Sequence, residues 1–216
     1  MAAQLDYGYR TPKGVPGGKV DICFDITVTR ANEEEDGILK YGMAAFVGTN
    51  KGHGIKRPTA SATKNDFQGV VICNANTEQD MDGRVNVKKG ANLSCMVMGR
   101  IWGRLAPGAD PAYQGKAYVV TDGDYAGCFT SKSSAYKAYV KCDEAEDDAK
   151  QVIDDTGSVS GEQVKLSEVT PVITGYIPAV GDYVANRQIH GATLDIGVTF
   201  GNEADTENVV AIVERI

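Results

Sequence analysis

Valine and isoleucine dominate the aliphatic side chains. The chain carries 23 Val and 13 Ile against only 6 Leu. Branching at Cβ restricts χ1 in a helix but packs well on a pleated surface, so this ratio commits the chain to β structure. Twenty-five glycines spaced along the sequence supply the turns that many short strands require. The expected fold class is all-β, with a compact β-barrel or jelly-roll-like core.

Strand candidates follow from alternation and from turn residues at their ends. The clearest is 20–28, where Val20, Ile22, Phe24, Ile26 and Val28 alternate with Asp21, Cys23, Asp25 and Thr27. Others are 39–47, 67–73, 84–87, 93–105, 116–121, 136–141, 169–176, 182–185, 193–200 and 208–215. Segments 49–64 and 74–83 read as long loops, and 143–153 as the one plausible helix, its acidic half equally compatible with a solvated loop. No repeat of fixed period is present.

Ahead of the first strand, residues 1–18 hold Pro12, Pro16 and four glycines, a composition unable to sustain a regular element. They are expected to form an extended arm that orders against a partner surface. Tyr7, Tyr9 and Arg10 are its interface candidates, because they combine large contact area with hydrogen-bonding tips. Trp102, inside a strand, is either a core residue or an interface anchor.

With 22 Lys+Arg against 29 Asp+Glu the formal charge is −7, and the pI is near 4.9. Nucleic-acid binding through phosphate contacts needs clustered cations. The basic residues are instead scattered, the densest groups being 51–57 and Lys88-Lys89. No apolar run approaches the length of a membrane helix, and the N-terminus has neither the basic start nor the apolar stretch of a secretory signal. The expectation is a soluble protein with no direct nucleic-acid or membrane partner.

Five cysteines, with no CxxC pair among them, point to reduced thiols that behave as small hydrophobes. The two histidines, His53 and His190, have no second ligand at zinc spacing, so no metal or cofactor is expected. Around Gly14–Lys19 a phosphate loop is excluded: Lys13 stands where its first glycine belongs, and Val20 where it needs Ser or Thr. Gly157-Ser158-Val159-Ser160-Gly161 has Val159 at the nucleophile position of an elbow. The acidic run 78–82 lacks the ligand spacing of a calcium loop. No catalytic residue emerges, and no enzyme is expected.

One ordered series of motifs is more specific. Phe67-Gln68-Gly69-Val70-Val71 precedes a polar loop and Gly83-Arg84-Val85-Asn86-Val87-Lys88-Lys89-Gly90. Leu93 to Trp102, with Gly99-Arg100-Ile101-Trp102 at its end, leads to Gly115-Lys116-Ala117-Tyr118-Val119-Val120-Thr121-Asp122-Gly123. This order resembles the structural cement (capsid decoration) proteins of tailed bacteriophages and prophages, over about 67–130 and more weakly over 19–48 and 188–216. Residues 131–187 are longer than the usual member and suggest an insertion or second lobe. The implied organisation is an arm (1–18), a β core (19–130), that insertion, and closing core strands (188–216).

The resemblance implies a virion structural protein, made in the host cytoplasm. It would bind the major capsid protein on the outer surface of the shell and stabilise contacts between capsid subunits, with self-association into a homo-oligomer. A charge of −7 suits the side of the shell away from the polyanionic genome. Two other classes stay open: a carbohydrate- or peptide-binding module, if Tyr7, Tyr9, Tyr113, Tyr125 and Tyr183 converge, and a small hydrolase, if a polar pocket surrounds His53 or His190.

Overall fold

A computed structural model describes residues 14–21, 24–73, 87–142, 163–165, 183–202 and 210–215, with backbone only for 137–142, 163–165 and 183–189. Its regular elements are strands, apart from one 3-10 turn at Lys64–Asp66, so the chain is all-β as its side chains require. The strands are β1 (Ile26–Asn32), β2 (Ala44–Val47), β3 (Gly54–Lys56), β4 (Phe67–Val71), β5 (Asn92–Arg104) and β6 (Lys116–Val120). They continue with β7 (Phe129–Thr130), β8 (Tyr136–Cys142), β9 (Gln163–Lys165), β10 (Tyr183–His190), β11 (Thr193–Phe200) and β12 (Val210–Arg215).

Five strands close on themselves. The order β1-β3-β2-β4-β5 returns to β1 through an antiparallel pairing that sets Thr27 opposite Met96 and Arg30 opposite Leu93. Of the two forms the sequence leaves open, the barrel is the one built. The 13-residue β5 outruns this ring. Its first half pairs with β1 and β4, while residues 99–104 pair with β12, which leads on through β11 and β6 to β7. Strands β8, β10 and β9 form a separate three-stranded sheet.

Side-chain parity explains why the central strands are apolar on both faces. Ala45, Val71 and Cys95 join Ile55 and Leu93 in one buried cluster with Val28 packed against it, so every barrel strand contributes and the cluster fills the barrel. Their chain neighbours Ala44, Phe46, Val70, Ile72 and Met96 join Val119, Phe129, Ile196, Phe200 and Val213 in a second cluster, between the barrel wall and the outer sheet. Successive residues therefore enter different cores, and Met43–Phe46 and Val70–Ile72 are continuous apolar runs rather than alternating ones.

The segment 20–28 departs from its expected form. Among its described residues the strand begins at Ile26, and Phe24 and Ile26 are 79% and 42% exposed, so the alternation does not mark a buried face at those two positions. Within the expected loop 49–64 lies β3, whose Ile55 is fully buried. The expected strand 169–176 and the helix 143–153 lie outside the described residues.

Candidate interface along the second half of β5

Residues 17–20 run antiparallel to the second half of β5, along the edge not taken by β12. Gly17 N–H donates to Trp102 O at 2.7 Å, Trp102 N–H donates to Gly18 O at 2.9 Å, and Val20 N–H donates to Arg100 O at 3.3 Å. Gly17 also accepts from Cys73 N–H at 2.8 Å, just past the end of β4. This stretch thus stitches β4 to β5 where the two strands part.

Trp102 is the floor under this segment. It is 9% exposed, and it clusters with Val210 and Ile212 of β12 while Val20 packs against them. Gly14 lies flat on the indole, where a Cβ would overlap the ring. Trp102 is therefore packed by its own chain, and it secures the last residues of the expected arm. Tyr7, Tyr9 and Arg10 lie outside the described residues.

Between Val20 and Asp25 the chain leaves the strand. Val20 bonds to Arg100, and Asp25 already lies against Gly99, the preceding residue of β5. Val20 and Asp25 are five positions apart in sequence yet meet adjacent residues of β5, so the chain makes an excursion between them, described at Asp21 and Phe24. Its two feet are tied by the Lys19–Asp25 ion pair. Below it, the Arg100 guanidinium binds Asp21 at 2.8 Å and Glu214 of β12 at 3.0 Å. Sequence reasoning missed this feature because the alternation continues through it. Asp21 and Asp25, poor strand residues on either side, were the available signal.

The remaining chemistry-bearing residues are dispersed. His53 is exposed on the turn before β3. His190 is buried, with Nδ1 3.1 Å from Gly191 O and Nε2 3.4 Å from Thr130 Oγ1, and its ring lies against Tyr136. Two polar contacts and an aromatic neighbour make His190, at the end of β10, a packing element against β7 and β8. Burial pushes the thiols of Cys95 and Cys128 up to about 12 and about 11, so neither forms a thiolate near neutrality. A cavity of about 10 Å³ between the layers, lined by Phe67, Met96, Val198 and Val213, has room for about one water. Among the described residues no cluster of His, Cys, Asp and Glu could hold a metal ion.

Among the described residues, the exposed tyrosines do not share one groove. Tyr113 and Tyr125 are 67% and 38% exposed, and they sit in turns at opposite ends of β6. Tyr7 and Tyr9, and the side chain of Tyr183, lie outside the described residues.

The arrangement is therefore a β-barrel joined through β5 to an outer sheet, with residues 17–20 stitched along β5 and the exposed Phe24 beside it. No helix among the described residues is long and apolar enough to cross a membrane. No curated protein and no solved structure matches the chain. A family model does: the one described as "Structural cement protein (E217 gp24/Pam3 gp6)" matches residues 3–214. That match spans nearly the whole sequence, including the residues between 131 and 187, and the chain belongs to the structural cement protein family of bacteriophages.

Proposed function

We propose that this protein binds the outer surface of a phage capsid and stabilises the contacts between capsid subunits. Membership of the cement family across residues 3–214 carries the reading. The β body supports it, since a protein that reinforces a shell needs a stiff unit and projecting contacts. Its partner is the major capsid protein, with copies of the chain associating on the shell. The net charge of −7 favours the face turned away from packaged nucleic acid.

In this reading the N-terminal residues reach the capsid through Tyr7, Tyr9 and Arg10. Trp102 serves them indirectly, by holding Gly14 and Gly17 on β5 and so fixing where the arm begins. Deleting residues 2–13 leaves that root in place. The shortened protein should fold with an unchanged circular dichroism spectrum and should bind undecorated capsids more weakly, with a smaller gain in capsid heat stability. Full occupancy and full heat protection by the shortened protein would remove the arm from the interface.

A further inference from the structure

The chain has five phenylalanines. Four of them, Phe46, Phe67, Phe129 and Phe200, are buried to 8% exposure or less, whereas Phe24 is 79% exposed. Burial of an apolar ring is favourable wherever the chain can achieve it, so a lone outward Phe on a pliable loop would fold back onto the body. Phe24 is held away from that outcome. The Lys19–Asp25 pair ties the feet of its excursion, and Arg100 clamps Asp21 from beneath while holding Glu214. Ile26 and Val15 are also exposed, at 42% and 55%.

We infer that Phe24 is a preformed docking knob that inserts into an apolar pocket on a capsid subunit. This rests on the capsid reading above and names the contact within it. The bracing charges point to the class of partner. Lys19 and Arg100 are already engaged by Asp25, Asp21 and Glu214, so neither cation is left to attract an anionic surface such as nucleic acid. The rim carries three carboxylates against two cations. Two copies of a −7 chain meeting knob to knob would bring like charges together around the ring. A different protein, offering an apolar recess, fits both the ring and its rim. An aromatic anchor held in place before binding loses little freedom when it docks.

The test compares wild type, Phe24→Ser and Phe24→Glu in binding to purified undecorated capsids, with Tyr113→Ser as an exposed-aromatic control. Because Phe24 makes little contact with the body, both variants should keep the wild-type thermal midpoint. Phe24→Ser should weaken capsid binding at least about tenfold, and Phe24→Glu more, while Tyr113→Ser binds as wild type. Wild-type binding by Phe24→Ser overturns the knob and leaves the capsid reading standing. A fall in native mass for Phe24→Ser overturns it too, since the ring would then dock on a second copy. A wild-type protein that fails to bind capsids overturns the reading on which the inference rests.

Discussion

Gly17 and Gly42 lie back to back. Each adopts a left-handed backbone, with φ of 77° and 78°, and a Cβ placed on Gly42 would stand 2.9 Å from the Gly17 amide nitrogen. Gly42 N–H donates to Val71 O and its carbonyl accepts from Arg104 N–H, both at 2.8 Å. One point therefore joins the N-terminal segment, the end of β4 and the end of β5. Only a residue without Cβ meets both the φ and the spacing.

Substituting Ala at either glycine meets backbone atoms on the facing segment as well as an unfavourable φ. Gly42→Ala and Gly17→Ala should each lose about 2–4 kcal/mol, the sum of conformational strain and overpacking. Urea denaturation with an unchanged m-value provides the measurement. A loss below about 0.5 kcal/mol would show that the junction yields easily.

Trp102→Ala removes the floor beneath residues 14–20. A loss of about 3–5 kcal/mol is expected from the ring volume and the cavity left behind. The N-terminal segment should then become the first site of limited proteolysis, before the barrel unfolds. Cleavage elsewhere first would place the weak point outside this junction.

The all-β class was legible from the aliphatic ratio, and β4, β5, β6, β11 and β12 from apolar runs bounded by glycine or polar residues. Other features depend on contacts distant in sequence. Nothing in Gly54-Ile55-Lys56 marks a strand until β1 and β2 are placed beside it. Phe24 falls among the apolar positions of the 20–28 alternation, but period-two alternation reports which way side chains point, not whether anything lies on that side. The excursion that carries Phe24 appears only when Val20 and Asp25 are matched to neighbouring residues of β5.

Acid should loosen the turn between β2 and β3. The Glu33 carboxylate accepts backbone N–H groups of Asn50, at 2.8 Å, and Thr49, and these bonds hold its pKa below the usual value. A depressed folded pKa gives stability that is present above the unfolded value, about 4.3, and is lost as pH falls through the folded one. Glu33→Gln should therefore flatten the pH dependence of the thermal midpoint below about pH 4.3 and lower the midpoint at pH 7. Parallel curves for wild type and variant would show that this carboxylate contributes nothing to acid sensitivity.

Cys95 and Cys128 should resist thiol reagents while the protein is folded. Burial raises their pKa values to about 12 and about 11, so at pH 8 the thiolate of Cys95 is on the order of one part in ten thousand. Labelling at these two positions, read by peptide mass, should follow the urea unfolding curve. Rapid labelling at zero denaturant would reveal local opening of the barrel.

The pairing of residues 17–20 with β5 also sets how the molecule carries load. A pull applied at residue 14 and directed along β5 stretches the bonds from Gly17, Gly18 and Val20 together, instead of peeling them one after another. β5 passes that load sideways into β12 over residues 99–104 and, at its other half, into β1 and β4. Tension entering through one short segment is therefore spread across both layers, and the joint should yield abruptly at high force rather than creep at low force.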